Sequence, residues 1–398
     1  MKEWEMRRIY VPAIAVAFVA LLGACATTVP GDPAARGAGS SASTALDTVD
    51  VPTGLDTGQY PTTTSAPAAL DSKSGWVVEG NRMADALIQV SEVDKRMSIG
   101  GVGLRSYPVI EGSQLSSRVP DATAAAFEAF NMKVGMTTTR GDDFDRPTIA
   151  MRIGLYRFGS IDDATKAFEM IKRSSIRNKQ ADVPLTGAMA KAASATEFKP
   201  GTVDSYRVEG PFVINISGTA ATTEAAAKLV ERGYELEVPK VQDFKGTPAD
   251  RVTQLPNDVN GALARTLGST VRNDYTAAIA IGVYGLNGLL HRIRNINDGS
   301  IYIKAGVDSV AQGDAVVYRT RDAGAANQLV ADLAVVNGRT GTKVTAPQQL
   351  PQMICFDRKE NINCAIAAGR WVTTAGGATL TQAQQRASAQ YVILAKNP

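Results

Sequence analysis

The chain has 398 residues, of which 44% are hydrophobic and 20% are charged. This length exceeds one small domain and this composition is that of a folded soluble protein, which excludes wholesale disorder and a polytopic membrane protein. The net charge of +3, from 42 basic and 39 acidic side chains, is too even for a nucleic-acid-binding surface.

The chain opens with the features of an export signal. Three basic side chains within the first eight residues precede a stretch without charge over residues 9–22. This layout is typical of a signal peptide, and the stretch is shorter than the about 20 residues of a membrane-spanning helix. It ends in Leu-Leu-Gly-Ala-Cys, which resembles a bacterial lipobox, so we expect a lipoprotein signal peptide over residues 1–24 and a lipid on Cys25. Export without lipid modification is the alternative.

Small and polar residues follow the cysteine. Over residues 26–45, all but three are Ala, Thr, Pro, Gly or Ser, and none is aromatic. Such a segment cannot bury a core and acts as a flexible tether, which we place at residues 25–54. The folded part is then expected at the cell membrane on its extracytoplasmic face, held there by lipid on Cys25.

The N-terminal domain is predicted at residues 55–245. Two helices open it, at residues 76–90 and at residues 121–132, where Asp121 is the expected cap. The elements that follow are a strand over residues 149–155, a helix capped by Ser160, a hairpin over residues 203–217, and a helix capped by Thr222 or Thr223. Their order is strand, helix, strand, strand, helix.

The same order returns in the C-terminal domain, predicted at residues 261–398. Its elements are a strand over residues 315–320, a helix over 322–335, a hairpin of 352–356 with 364–374, and a helix over 381–394. Aligning Tyr156-Arg157 with Tyr318-Arg319 matches the first helices of the two domains without a gap. We therefore predict a duplicated unit.

The fold class expected from these patterns is α+β. Each of two similar domains would pack its helices on one face of a small antiparallel sheet. Between the domains, residues 246–260 contain one glycine and two prolines and are the expected linker.

Two cysteines remain in the mature chain. Cys355 and Cys364 flank a polar turn, and in an exported protein this spacing predicts a disulfide. Closing a loop of about ten residues stabilises a fold by roughly 2 to 3 kcal/mol. A metal site would need further cysteine or histidine ligands, so none is expected.

Several segments of the mature chain carry a family resemblance. They are Asp56-Thr57-Gly58-Gln59-Tyr60-Pro61-Thr62-Thr63, Gly80-Asn81-Arg82-Met83-Ala84, Ala305-Gly306-Val307-Asp308, and Ala368-Gly369-Arg370-Trp371-Val372. Together with the lipobox, they resemble an uncharacterised family of actinobacterial surface lipoproteins that carry an N-terminal and a C-terminal domain in tandem. The resemblance implies location and architecture, and it brings no catalytic residue, ligand or cofactor.

Few residues offer catalytic chemistry. His291 is the only histidine, so catalysis by a serine or cysteine nucleophile with a histidine base would have to use it. Asp142, Asp143 and Asp145 could bind a cation or flank a sugar, although a solvated loop is the simpler interpretation. In Tyr156-Arg157, neighbouring strand positions point to opposite faces, so one side chain is expected to pack and the other to stay in solvent.

We expect a non-catalytic, membrane-anchored lipoprotein without a cofactor. Its partner would be an envelope lipid, a glycan or a protein, and not a nucleic acid, with the groove between the two sheets as a candidate site. An envelope hydrolase that uses carboxylates or His291 is one alternative. A scaffold of an envelope complex is another, and it would require an exposed apolar patch.

Overall fold

The computed structural model describes residues 49–398, except residues 102–105, 116–117, 269–271, 275–278 and 360. The described residues belong to one compact unit. Cys25 and the predicted signal peptide over residues 1–24 lie outside them. Among the helices of the described part, none has the length and apolar character needed to cross a membrane.

The N-terminal half is built on a six-stranded antiparallel sheet. Its helices are α1 (Ser72–Met83), α2 (Val90–Val93), α3 (Asp121–Ala129), α4 (Ile161–Arg177) and α5 (Thr223–Asp243). Its strands are β1 (Ile99–Gly100), β2 (Val134–Gly141), β3 (Ala150–Arg157), β4 (Ser194–Lys199), β5 (Thr202–Glu209) and β6 (Phe212–Thr219). They lie in the order β1-β2-β3-β6-β5-β4.

The C-terminal half is built on a second sheet, with eight strands in the described part. Its strands are β7 (Arg272–Asp274), β8 (Ile279–Tyr284), β9 (Ser309–Gln312), β10 (Val316–Arg319), β11 (Thr342–Val344), β12 (Ile354–Asp357), β13 (Ile362–Ala368) and β14 (Trp371–Gly377). Its helices are α6 (Leu286–Arg292), α7 (Gly299–Lys304), α8 (Ala323–Gly338) and α9 (Leu380–Lys396). The strand order is β11-β12-β13-β14-β10-β9-β8-β7.

The two halves share one topology. The run β2-β3-β6-β5-β4 corresponds to β9-β10-β14-β13-β12, with α4 and α8 after the second strand of each run and α5 and α9 after the third. The helix caps also correspond, because the side chains of Ser160 and Asp322 cap α4 and α8, and those of Thr222 and Thr379 cap α5 and α9. The predicted α+β fold with two similar domains is confirmed.

Helices cover both faces of each sheet, so the expectation that they pack on one face is wrong. Neighbouring residues of β5 show this, because the Ser205 hydroxyl bonds to Tyr234 of α5, while the Tyr206 hydroxyl on the other face bonds to Thr123 of α3. Side chains alternate between the faces of a strand, and both sets are buried here. Both faces therefore need cover.

The predicted C-terminal hairpin contains one more strand than expected. Residues 364–374 form the end of β13 and the start of β14, which are joined by a turn in which Gly369 has a φ of +55°. The sequence predicts one continuous strand here because apolar and β-branched residues lie on both sides of Gly369-Arg370. The preceding strand, β12, pairs with β13 and sets Cys355 opposite Cys364. The two cysteines form the predicted disulfide, with their Cα atoms 4.1 Å apart.

Two segments that the sequence assigns to connections are packed. Within the expected linker at residues 246–260, Val252 is buried and its carbonyl approaches α1 where Gly75 leaves room. Within the predicted tether at residues 25–54, Val49 and Val51 pack on the core, and the Asp50 carbonyl accepts a hydrogen bond of 3.0 Å from Tyr391. The folded body thus begins before residue 55.

Candidate functional site

A cleft of about 600 Å³ lies on the N-terminal sheet. It occupies the face where α3 and α4 pack, beyond the part of the sheet that these helices cover. Residues of all strands from β2 to β6 and the start of α3 line it. Its charged side chains are Arg118, Asp121, Arg152, Lys199 and Asp204, and its larger apolar side chains are Val119 and Phe198.

An ion pair forms part of the cleft wall. Arg152 Nη2 lies 3.1 Å from Asp204 Oδ1, which also accepts a hydrogen bond of 3.0 Å from Asn215. The other oxygen, Oδ2, accepts a hydrogen bond of 2.6 Å from the Tyr206 hydroxyl. Burial, followed by the negative charge of Asp204, raises the pKa of Tyr206, so this hydroxyl keeps its proton and donates. Both oxygens of the Asp204 carboxylate therefore accept hydrogen bonds, and its negative charge balances that of Arg152.

Among the described residues that line the cleft, Arg118 is the cation that is both buried and incompletely bonded. Only 2% of the residue is exposed, and its guanidinium lies 4.0 Å from the centroid of the Tyr107 ring. Nη1 donates to Thr137 Oγ1 at 2.6 Å, whereas Nε and Nη2 have no hydrogen-bond partner in the described part of the chain. Each buried donor without a partner costs about 1 to 3 kcal/mol or more when charged. A hydrogen-bond acceptor placed at Nε and Nη2 of Arg118 would therefore be stabilising.

Two buried hydroxyls of the same sheet face, Thr139 Oγ1 and the Tyr156 hydroxyl, also lack partners among the residues that the structure describes. Thr139 Oγ1 borders the cleft from β2, opposite Arg152 of β3. The Tyr156 hydroxyl lies over Gly154, where a Cβ atom would come within 2.6 Å of it. Burial raises the pKa of Tyr156 to about 12, so its hydroxyl remains a hydrogen-bond donor.

The start of α3 contributes to the cleft. Pro120 is the N-cap residue and Asp121 is the first helical residue, so the expected cap at Asp121 is wrong by one position. Proline has no side-chain acceptor, and this helix end has no side-chain cap. The first N–H groups of a helix lack partners within the helix and carry partial positive charge, which favours an acceptor in the cleft.

A second cavity, of about 430 Å³, occupies the corresponding place in the C-terminal half. In the N-terminal sheet, Ser217 pairs with Asp204, and both border the cleft. In the C-terminal sheet, Gly376 pairs with Asn363 in the same way, and both border the second cavity. An amide thus stands where the N-terminal half has a carboxylate. The repeated fold leaves the same part of each sheet open, with different chemistry.

His291 is buried at the end of α6, between the two halves. Its Nδ1 lies 3.1 Å from Thr138 Oγ1, and its Nε2 lies 3.2 Å from the Ala84 carbonyl oxygen. Burial, with the charges of Arg140 and Arg292, lowers the pKa of His291 to about 3, so the ring is neutral. It borders neither the cleft nor the second cavity. The imidazole packs and bonds where the two halves meet.

The three predicted carboxylates lie in the loop between β2 and β3. Asp142 accepts hydrogen bonds from the backbone of Thr148 and Ile149, and Asp143 accepts from the backbone of Asp145 and Arg146. They hold the loop together, as the simpler interpretation expects. In the described part of the chain, no group of three acidic, histidine or cysteine residues could hold a metal ion.

The repeated Tyr-Arg pairs differ from expectation. Tyr156 belongs to the cleft face, and Arg157 lies on the opposite face as expected. Arg157 is nevertheless buried, because its guanidinium pairs with the buried carboxylate of Glu79. In the second pair, Tyr318 stacks on Tyr302, and Arg319 lies 3.5 Å from Asp308.

The groove between the two sheets is the candidate site that the sequence predicts. A cavity of about 260 Å³ is found there, between Asn81 and Asp85 on one side and Tyr284 and Ser309 on the other. It is less than half the volume of the N-terminal cleft. Sequence patterns did not indicate Arg118 or Thr139 as site residues. The available signal was the position of Arg118, a charged residue directly before Val119-Pro120 and the start of α3.

Comparisons with known proteins identify the domains. Family models described as the N-terminal and C-terminal parts of DUF7373, a domain of unknown function, match residues 66–257 and 262–397. A pantothenate synthetase of Streptomyces avermitilis is 32% identical over 104 residues, which are 25% of this chain and 31% of that protein's length. The extracellular domain of PknH from Mycobacterium tuberculosis aligns over 42% of this chain and 97% of its own, with 10% identity and a TM-score of 0.26.

Proposed function

The chain belongs to the DUF7373 family, and we propose that it is a lipid-anchored, extracytoplasmic protein that binds a small envelope component without transforming it. The observation that carries the proposal is the cleft of about 600 Å³ in the N-terminal half. Its volume is that of a typical ligand site, about 300 to 1,000 Å³.

The chemistry of the cleft supports binding. Ligand sites combine an apolar wall with a few polar groups that fix the ligand's orientation. Here Val119 and Phe198 provide apolar surface, while Arg118 and Thr139 hold polar atoms without partners among the described residues. Native proteins pair most of their buried polar atoms, so unpaired ones in one cleft require an explanation. A bound ligand that accepts their hydrogen bonds provides it.

The proposal of a non-catalytic protein rests on the same groups. Within the cleft, the Asp204 carboxylate is bonded to Arg152, Asn215 and Tyr206, so it holds structure. Arg118 is a hydrogen-bond donor and not a base. The cleft is thus suited to holding a ligand.

The proposed extracytoplasmic location is supported by the predicted signal peptide, by the sequence before Cys25 that resembles a lipobox, and by the disulfide. Metabolic labelling with an alkyne analogue of palmitate tests it. We expect label on the wild-type chain in the membrane fraction and none on the C25A variant. An unlabelled wild-type chain that fractionates with cytosolic proteins would contradict the proposed location.

Native mass spectrometry tests the binding function. The full chain is extracted from its own membranes in mild detergent, and its mass is compared with that of the denatured chain. We expect an additional non-covalent mass that is lost from the R118M variant and kept by the R292M variant. Arg292 is a matched control, because it is half-buried, its guanidinium lies 3.6 Å from the centroid of a tyrosine ring, and it does not line the cleft. Absence of any bound mass would contradict the proposal.

A further inference from the structure

We infer that the cleft recognises a carboxylate on a small apolar molecule, with Arg118 as the residue that binds the carboxylate. This inference rests on the proposed function and specifies its ligand. It follows from the unpaired edge of one buried guanidinium, the hydroxyls beside it and the charge of the cleft.

The unpaired atoms of Arg118 form a suitable donor pair. In a guanidinium group, Nε–H and one N–H of Nη2 point the same way along one edge, which matches the two oxygens of a carboxylate. The opposite nitrogen, Nη1, is held by Thr137, and the face of the group lies on the Tyr107 ring. These contacts fix the plane of the guanidinium. Arg118 is therefore oriented before a ligand arrives.

The neighbouring hydroxyls would complete the set of donors. Thr139 lies two residues after Thr137 on β2, so its side chain is on the same face as the residue that holds Arg118. Tyr156 projects from that face of β3, and the positive charges of Arg152 and Arg118 act on its hydroxyl. All three unpaired groups can donate a hydrogen bond. A ligand that accepts hydrogen bonds is thus favoured over one that donates them.

The charges of the cleft favour an anion with a single charge. Three cations, Arg118, Arg152 and Lys199, face two carboxylates, Asp121 and Asp204. Because Asp204 neutralises Arg152, a monoanion would balance the remaining excess of positive charge. A phosphate dianion would exceed it and would also be repelled by Asp121.

The walls of the cleft favour an apolar body for the ligand. Val119 and Pro120 border it, and the side chain of Phe198 lies at the sheet edge. Phe198 is 52% exposed, which is unusual for a phenylalanine and gives a ligand aromatic surface to cover. A molecule with a carboxylate at one end and an apolar group at the other fits this division.

Three probes that share a phenyl ring distinguish a carboxylate from a neutral amide and from a phosphate as the group that the cleft recognises. Benzoate carries a planar monoanion, benzamide is its neutral analogue and phenylphosphate is a tetrahedral anion with the same ring. Binding of each to the full chain in detergent is measured by titration calorimetry after extensive dialysis. We expect saturable binding of one benzoate, at least tenfold weaker binding of benzamide, and weaker binding of phenylphosphate than of benzoate.

Three variants assign the binding to the cleft. R118M retains an unbranched side chain over Tyr107 and removes the donors, and T139V removes one hydroxyl without changing shape. We expect each to weaken benzoate binding, by tenfold or more for R118M. R292M is the matched control and should bind benzoate as the wild type does, because Arg292 lies outside the cleft. If R118M and T139V both bind benzoate with wild-type affinity, the inference is wrong.

The results also separate this inference from the proposed function. If phenylphosphate or benzamide binds the cleft as tightly as benzoate does, the cleft binds ligands and the carboxylate assignment is overturned. If none of the probes binds and no mass co-purifies with the chain, both statements are wrong. A co-purified ligand without a carboxylate would overturn the inference and leave the proposed function in place.

Discussion

Glu79 of α1 and Arg157 of β3 form an ion pair in the interior of the N-terminal half. The Glu79 carboxylate is fully buried and also accepts hydrogen bonds from Arg82, at 2.5 Å, and from the backbone and hydroxyl of Thr247, each at 2.8 Å. One side chain therefore joins α1, β3 and the segment that connects the two halves.

Removing the charge of Glu79 should destabilise the fold strongly. In the E79Q variant, the buried guanidinium of Arg157 loses its counter-charge, and breaking a buried pair typically costs about 3 to 5 kcal/mol. We expect the urea midpoint of unfolding to fall accordingly. The control is E224Q, because Glu224 pairs with Lys228 on the surface, where we expect no change in the midpoint. Equal effects of the two variants would contradict this account of the pair.

His291 should remain neutral down to acidic pH. Its pKa is lowered to about 3 in the fold, below the 6.5 of the free side chain. Below about pH 6.5 the unfolded chain binds a proton that the folded chain does not, so His291 destabilises the fold by about 1.4 kcal/mol per pH unit down to pH 3. NMR is decisive because the chain has one histidine. The ring signals should not shift between pH 8 and 5, and a midpoint near 6.5 would contradict the buried position.

Glu237 should make the fold less stable as the pH rises. Burial raises its pKa to about 8, and its Oε2 accepts a hydrogen bond of 2.9 Å from the Ile88 backbone. Between about pH 4.5 and 8 the unfolded chain releases a proton that the folded chain keeps, which lowers the free energy of unfolding by about 1.4 kcal/mol per pH unit.

The E237Q variant tests this titration. Glutamine keeps the size and the acceptor for Ile88 and does not ionise, so the stability of the variant relative to the wild type should increase from pH 5 to pH 8. Denaturant unfolding at both pH values measures the difference. E235Q is the control, because Glu235 lies on the same helix and is partly exposed. A difference between E237Q and wild type that is the same at both pH values would show that Glu237 is ionised in the fold.

The disulfide should contribute measurably to stability. Cys355 and Cys364 lie opposite each other on β12 and β13, and their bond closes a loop with a sequence separation of 9. The chain-entropy model gives about 2 to 3 kcal/mol for a loop of this size. Guanidinium unfolding of the C355A/C364A variant should show this loss. Reaction of both thiols with maleimide in the unreduced chain would contradict the bond.

The sequence was sufficient for the elements with strong local signals. The helix capped by Ser160, the helix capped by Thr222 or Thr223 and the helix over residues 322–335 follow from local signals and an apolar repeat, and all three are present. The duplicated order of elements follows from the same local patterns. Such signals lie within a few residues, where spacing alone determines which side chains share a face.

The cleft required the tertiary structure. Arg118 and Tyr156 are far apart in the chain, and nothing in their neighbours indicates that they share one sheet face. The sequence was also misleading for the Tyr156-Arg157 pair. One of the two side chains was expected in solvent, but Arg157 is also buried because the Glu79 carboxylate compensates its charge. Pairing between distant residues determines burial of charge, and it leaves no periodic pattern in the sequence.

The T139V variant gives the most direct test that the cleft is a ligand site. Thr139 holds a buried hydroxyl without a partner, so its replacement by a methyl group of the same shape should leave the thermal midpoint of the ligand-free chain unchanged or raise it. Benzoate should raise the midpoint of the wild type and raise that of T139V by much less. A variant that is less stable without ligand and responds fully to benzoate would contradict the account, because Thr139 would then serve the fold and not the ligand.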